Sequence, residues 1–174
     1  LHTAYRRQRQ MCIRDRDNII DNINLISKKC SVDVPIFGFG GVYYCKFKLN
    51  PPVAENKINR LSGISVPNDL IEFWIQANGA ELFIDSFQGI ELGGARCRIY
   101  TIEYVLNQLV KTPNYLPILW LRDEGEMGIN LDRYNQKQSY LTYPGIEEQY
   151  FDFSFKQWLE TYLACNGNPF WNLV

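Results

Sequence analysis

Histidine is missing from residues 17–174, because the only one in the chain is His2. That gap removes the commonest general base, the usual activator of a nucleophilic serine or cysteine, and the commonest catalytic zinc ligand. No G-x-S-x-G elbow is present, so nucleophilic catalysis has neither its base nor its turn. No C-x-x-C pair occurs: Cys12, Cys30, Cys45, Cys97 and Cys165 are spread singly. That spread suits buried free thiols in a reducing compartment and neither a disulfide framework nor a zinc site. The longest apolar runs, "LPILWL" at 116–121 and "VYYC" at 42–45, fall far short of the roughly 20 residues a spanning helix requires. The "GFGG" of 38–41 lacks the third glycine of a dinucleotide loop, Tyr43 standing in its place, and no G-K-[ST] follows; it reads as a plain turn. Together the absences predict a soluble, cytoplasmic, non-enzymatic protein with no membrane span, metal, cofactor or small-molecule ligand.

What is present is the makeup of a folded domain. A chain of 174 residues that is 46% hydrophobic and 14% aromatic is long and apolar enough to bury one substantial core, so a single domain is expected. The opening is the exception, since "RRQRQMCIRDR" (6–16) places five arginines in eleven positions. Such a run suggests a nucleic-acid arm or a transit peptide. Its codons suggest neither: CGT CGG CAG CGT CAG ATG TGT ATA AGA GAC AGR encodes Arg6 through Arg16 and spells a transposase adaptor used in building sequencing libraries. Residues 1–16 are therefore read as a non-native tail outside the domain, with the native start missing and the biological sequence beginning at Asp17. Setting aside that tail leaves 13 basic and 18 acidic side chains, a formal charge of −5 in place of −1. A polyanion such as nucleic acid would be repelled.

From Asp17 onward the apolar spacing predicts alternating elements. Ile19, Ile23 and Ile26 mark a helix over 17–29, and "VYYCKFKL" (42–49) a strand turning Tyr43, Cys45, Phe47 and Leu49 inward. Pro51-Pro52 opens a helix with Ala54, Ile58 and Leu61 on its inner face, ended by Gly63. In "VPNDLIEFWIQANG", Pro67 sits at the first helical position, Leu70, Phe73, Trp74 and Ala77 form the buried stripe, and Asn78-Gly79 stops the helix. Strands follow at 81–86 and 96–101, then a short helix capped by Thr101 and carrying Ile102, Val105, Leu106 and Leu109. "YLPILWL" reads as a central strand, with "MGINLD" and "SYLTY" continuing the sheet as a meander. Ser154 and Gln157 form a capping box for a last helix bearing Phe155, Trp158, Leu159, Tyr162 and Leu163, closed by Gly167. The order predicts an α+β domain with a mostly antiparallel sheet flanked by helices.

Few constellations carry chemistry. "RDEGEMGINLD" gathers Asp123, Glu124, Glu126 and Asp132, which suit hard-cation ligands, paired carboxylates or an acidic loop; the spacing fits no EF-hand. The basic pairs Lys28-Lys29, Lys46 with Lys48, and Arg96 with Arg98 read as solvated faces, and the aromatic stripes as core.

The stretch "LNPPVAENKINRLSGISVPNDLIEFWIQANGAELF" (49–83) resembles the hallmark of the SUKH superfamily, also called the SMI1/KNR4 family. The resemblance lies in a helix, a small turn, Val66-Pro67, a helix with Phe73-Trp74, then Asn78-Gly79 before a strand. "YLPILWLRDEGEMGINLD" resembles that family's strand, acidic turn and strand. Ser154, Phe155, Trp158 and Leu159 resemble its terminal S-F-x-x-W-L helix. The resemblance implies structural roles for Pro67, Phe73, Trp74, Asn78, Gly79, Ser154, Trp158 and Leu159. It also implies that a bacterial member is an immunity protein, neutralising a cognate secreted toxin, often a nuclease, by direct protein–protein binding. A fungal member would instead be a cytoplasmic adaptor. Asp123, Glu124, Glu126 and Asp132 are the expected partner-binding residues, on charge density alone.

Overall fold

The computed structural model describes residues 19–29, 33–38, 41–144 and 148–173. The tail at 1–16, Cys12, Cys30 and the tip of the "GFGG" turn lie outside these residues. Eight strands form one sheet: β1 (Val34–Gly38), β2 (Gly41–Leu49), β3 (Ala80–Phe87), β4 (Ile90–Ile99), β5 (Tyr115–Leu121), β6 (Gly125–Asn130), β7 (Leu141–Pro144) and β8 (Glu148–Phe151). Each runs antiparallel to the next, and the spatial order is the sequence order. Six α-helices are described: α1 (Ile19–Lys29), α2 (Glu55–Ile58), α3 (Asn68–Gln76), α4 (Ile102–Leu109), α5 (Leu131–Asn135) and α6 (Phe155–Ala164). This is the α+β meander that the order of elements predicts. No helix among the described residues is long and apolar enough to cross a membrane.

The core forms where α3 and α6 meet the sheet. Helix α6 begins at its capping box: Ser154 Oγ accepts from Gln157 N, and Gln157 Oε1 accepts from Ser154 N at 2.9 Å. Two otherwise orphaned donors are thereby satisfied, which lets the helix start beside the loop that carries it. Its inner face buries Phe155, Trp158, Leu159 and Tyr162. Trp158 is fully buried and stacks on Tyr162 at 5.1 Å between ring centroids, while Phe83 of β3 meets Tyr162 edge-on at 5.5 Å. Helix α3 turns Leu70, Phe73 and Trp74 inward, and Phe73 meets Phe155 at 5.5 Å. Asp69 locks the two helices together, accepting from Lys156 N at 2.8 Å. Trp74 Nε1 finds its acceptor in Tyr100 O at 3.0 Å, so the buried indole leaves no polar edge unmet.

Asn78 and Gly79 join α3 to the sheet. Asn78 Oδ1 accepts from Ile102 N, covering an exposed donor at the start of α4, and its Nδ2 donates to Glu103. Gly79 has φ +93° and lies so close to Ile99 O that an added Cβ would stand 2.8 Å from it. Glu103 also receives Lys57 of α2. Burial alone would raise the Glu103 carboxyl, but the bonds from Lys57 and Asn78 outweigh it and hold the group down at about 2. A carboxylate depressed on folding adds stability above its ordinary pKa and loses it as pH falls toward the folded value. The stability gap between the parent chain and Glu103→Gln should therefore narrow from about pH 4.5 down toward pH 2. Thermal melts across that window check this, and a gap independent of pH would remove Glu103 from the account.

Several local expectations shift. Pro67 is the N-cap of α3, with φ −56° and ψ 134°, and the helix starts one residue later. Ala77 is the residue that leaves the helix, at φ −151°; only Gly79 of the Asn-Gly pair is left-handed. The helix after Pro51-Pro52 shrinks to the four residues of α2 and runs into a 3-10 turn. Of its expected inner face Leu61 is buried and Ala54 is exposed. Strand β1 adds Val34–Gly38 to the sheet ahead of the "GFGG" turn; Pro35 is tolerated because β1 is the edge of the sheet, where a missing N–H costs no ladder bond. The strand expected through Asp132 ends at Asn130, whose Oδ1 accepts from Arg133 N and caps α5 instead. Strand β8 was not anticipated.

Candidate protein-binding surface

Two hairpins at one end of the sheet extend apolar side chains into solvent. In the first, Phe37 of β1 is the Cα partner of Val42 of β2. In the second, Phe87 of β3 is the partner of Ile90 of β4, across a turn in which Gln88 (φ 50°) and Gly89 (φ 81°) are both left-handed. Such a turn matches the natural twist of paired strands. Strand alternation puts Tyr44 on the side of Val42, and Leu92 follows Ile90 along β4 where the register with β3 shifts. The Tyr44 and Phe87 rings meet edge-on at 6.3 Å, which joins the hairpins into one platform. Phe37, Ile90 and Leu92 are 70%, 66% and 69% exposed, values that place them in solvent rather than at the margin of the core. Val42, Tyr44 and Phe87 are exposed beside them.

The platform is held rigidly from behind. Asp33, just ahead of β1, accepts from Ser86 Oγ at 2.6 Å and from Gly89 N at 2.9 Å, tying the first hairpin to the turn of the second. Those bonds, from Ser86 first and Gly89 next, keep its carboxyl below the usual range. Lys46 adds a bond to Gly89 O, and Asn166 Nδ2 reaches Phe37 O at 3.2 Å from beyond α6. On the strand interior, Val34, Ile36 and Cys45 are buried. A surface fixed in this way loses little entropy when a partner lands on it.

The four acidic residues expected to bind a partner do not gather. Asp123, with φ 66°, and Glu124 sit in the turn between β5 and β6. Asp132 lies in α5, past the opposite end of β6, roughly 17 Å along the strand by its usual rise per residue. Glu126 faces the sheet's surface between them. Its Cα partner is Trp120, whose own partner on the other side is Arg98. Tyr100 Oη donates to Glu126 Oε2 at 3.3 Å, and the Tyr100 and Tyr104 rings lie 4.2 Å apart. Burial raises the Glu126 carboxyl and the Tyr100 bond partly offsets that. Gly128 makes room for Tyr115: a Cβ there would meet the phenol ring at 2.4 Å. Among the described residues the buried hydroxyls of Tyr115 and of Thr142, the Cα partner of Gly128, have no hydrogen-bond partner.

The residues read as structural lie inside: Phe73, Trp74, Trp158 and Leu159 are buried in the core, and Asn78, Gly79 and Ser154 hold helix ends. Sequence reasoning missed the platform altogether. The signal was there in "FQGI", a glycine turn between two apolar residues, which is a hairpin signature.

The chain is similar to two proteins of Bacillus subtilis (strain 168). It is 27% identical to the uncharacterized protein YobM over 117 residues, covering 63% of this chain and 63% of YobM. It is 25% identical to the uncharacterized protein YnaB over 135 residues, covering 73% of this chain and 88% of YnaB. The chain thus spans under two thirds of the length of YobM. No family model and no solved structure matches it.

Proposed function

We propose that this chain is an immunity protein of the SMI1/KNR4 type, which neutralises a cognate secreted toxin by covering part of its surface. The observation that carries this reading is the rigid apolar platform of Phe37, Val42, Tyr44, Phe87, Ile90 and Leu92. A contiguous exposed patch of aromatic and branched side chains is costly to keep in water and is characteristic of protein contact. The sequence resemblance points the same way. The acidic excess of residues 17–174 suits a basic partner such as a nuclease, whose approach a negative field would speed.

Co-expression with the toxin encoded beside the gene tests the reading. The parent chain should protect cells and co-purify with the toxin. The double variant Ile90→Asp, Leu92→Asp, altered only on the platform, should lose about 2–4 kcal/mol of affinity while melting at the parent temperature. Reversing Asp123, Glu124 and Asp132 should slow association and weaken its salt dependence, leaving dissociation nearly unchanged. A chain that neither protects nor binds would end the immunity reading. An adaptor would use the same platform without protecting cells, so the protection assay separates the two.

A further inference from the structure

The face of β4, β5, β6 and β7 carries a second arrangement, away from the hairpin platform. Glu126 is half-buried, accepts one hydrogen bond from Tyr100 and has no ion pair among the described residues. Aromatic rings surround it: Tyr100 and Tyr104 in contact, Trp120 directly across the strand pair, and Tyr115 laid over Gly128 on the same side of β6. The faces of such rings are negative, and a carboxylate among them makes the recess attractive to a cation and hostile to an anion. Across Gly128 the hydroxyls of Tyr115 and Thr142 are closed off from solvent, so the polar group this face offers to an arriving molecule is the Glu126 carboxylate. An apolar guest would leave the carboxylate unmatched.

We propose that this recess receives a basic side chain, lysine or arginine, presented by a protein partner. Glu126 supplies the charge, and Tyr100, Tyr104 and Trp120 the aromatic walls. Burial holds the Glu126 carboxyl above its ordinary range, and an arriving cation relieves that shift. That the basic side chain belongs to the neutralised toxin rests on the immunity reading; the preference for a cation does not.

The test uses the full chain and three capped tripeptides, Gly-Lys-Gly, Gly-Arg-Gly and Gly-norleucine-Gly. Binding is followed by calorimetry and by tryptophan emission, to which Trp120 responds because it is 36% exposed while Trp74 and Trp158 are fully buried and Trp171 is partly buried against Trp158. The lysine and arginine peptides should saturate at millimolar concentration and the norleucine peptide should not. Glu126→Gln should weaken the basic peptides about tenfold or more, with an unchanged circular dichroism spectrum. Trp120→Leu provides a second folded variant with the same expected loss. Equal binding of the norleucine peptide, undiminished binding by both variants, or no saturation by either basic peptide would overturn the proposal. A chain that binds the basic peptides yet fails to protect cells keeps the recess and loses the immunity reading. One that protects cells and binds none of them does the reverse.

Discussion

Replacing Trp158 by alanine should cost about 3–5 kcal/mol, the range for deleting a large buried aromatic side chain. At roughly 2–4 °C per kcal/mol for a chain of this size, the melting temperature should drop by about 6–20 °C. The size of the effect follows from position. Trp158 is fully buried, lies on α6 where the helix meets the sheet, and stacks on both Tyr162 and Trp171. Removing it opens a cavity walled by rigid rings, and rigid walls collapse poorly. Trp158→Phe separates packing from polarity. The indole Nε1 is buried with no hydrogen-bond partner among the described residues, so phenylalanine keeps most of the ring and removes an unmet donor. Its loss should be well under half that of alanine. Equal losses for the two variants, measured by denaturant or thermal unfolding, would show that ring packing is not what Trp158 contributes.

Gly79→Ala is the second large effect, at about 3 kcal/mol. Part of it is conformational: a left-handed φ costs an L-residue roughly 1–2 kcal/mol. The rest is a clash, because the new Cβ would stand 2.8 Å from Ile99 O, a backbone atom of β4 that cannot swing aside. Moving that strand would disturb the bond from Asn50 N to Gly79 O and the Asn78 cap on α4. Gly63→Ala is the matched control. Gly63 has nearly the same φ, +89°, with nothing within 4 Å of its added Cβ, so it should show the conformational cost alone, about 1 kcal/mol. If the two substitutions destabilise equally, the close approach to Ile99 is not what selects glycine at position 79.

The elements most legible in the sequence were those whose signals are local. The Ser154–Gln157 box, the Thr101 cap and the apolar spacing of α3 and α4 depend on residues within a few positions of each other, and each reappears in the structure. The strand 115–121 was legible because both its faces are covered from Leu116 to Leu119, which removes alternation. What escaped depends on tertiary placement. Pro35 looks like a strand breaker until β1 is known to be an edge. Tyr43 alternates like a core residue, yet it is exposed, because this part of β2 pairs with β1 and runs beyond its register with β3. The platform was invisible for the same reason, since Ile90 and Leu92 carry the same letters whether a strand is covered or bare. The acidic residues show the reverse effect of tertiary placement. Eleven residues of sequence made them neighbours, and β6 drew them apart.

The sequential sheet also has a kinetic meaning. Every strand pairs with the one before it, so apart from β2 and β3, which residues 50–79 separate, each ladder closes a short chain segment and little entropy is lost before contacts repay it. The costly closure is elsewhere: the bond from Lys156 N to Asp69 spans 87 positions and exists only once α6 has docked on α3. The meander can therefore assemble hairpin by hairpin, while the tryptophan-bearing helix that seals its core must return across most of the finished sheet.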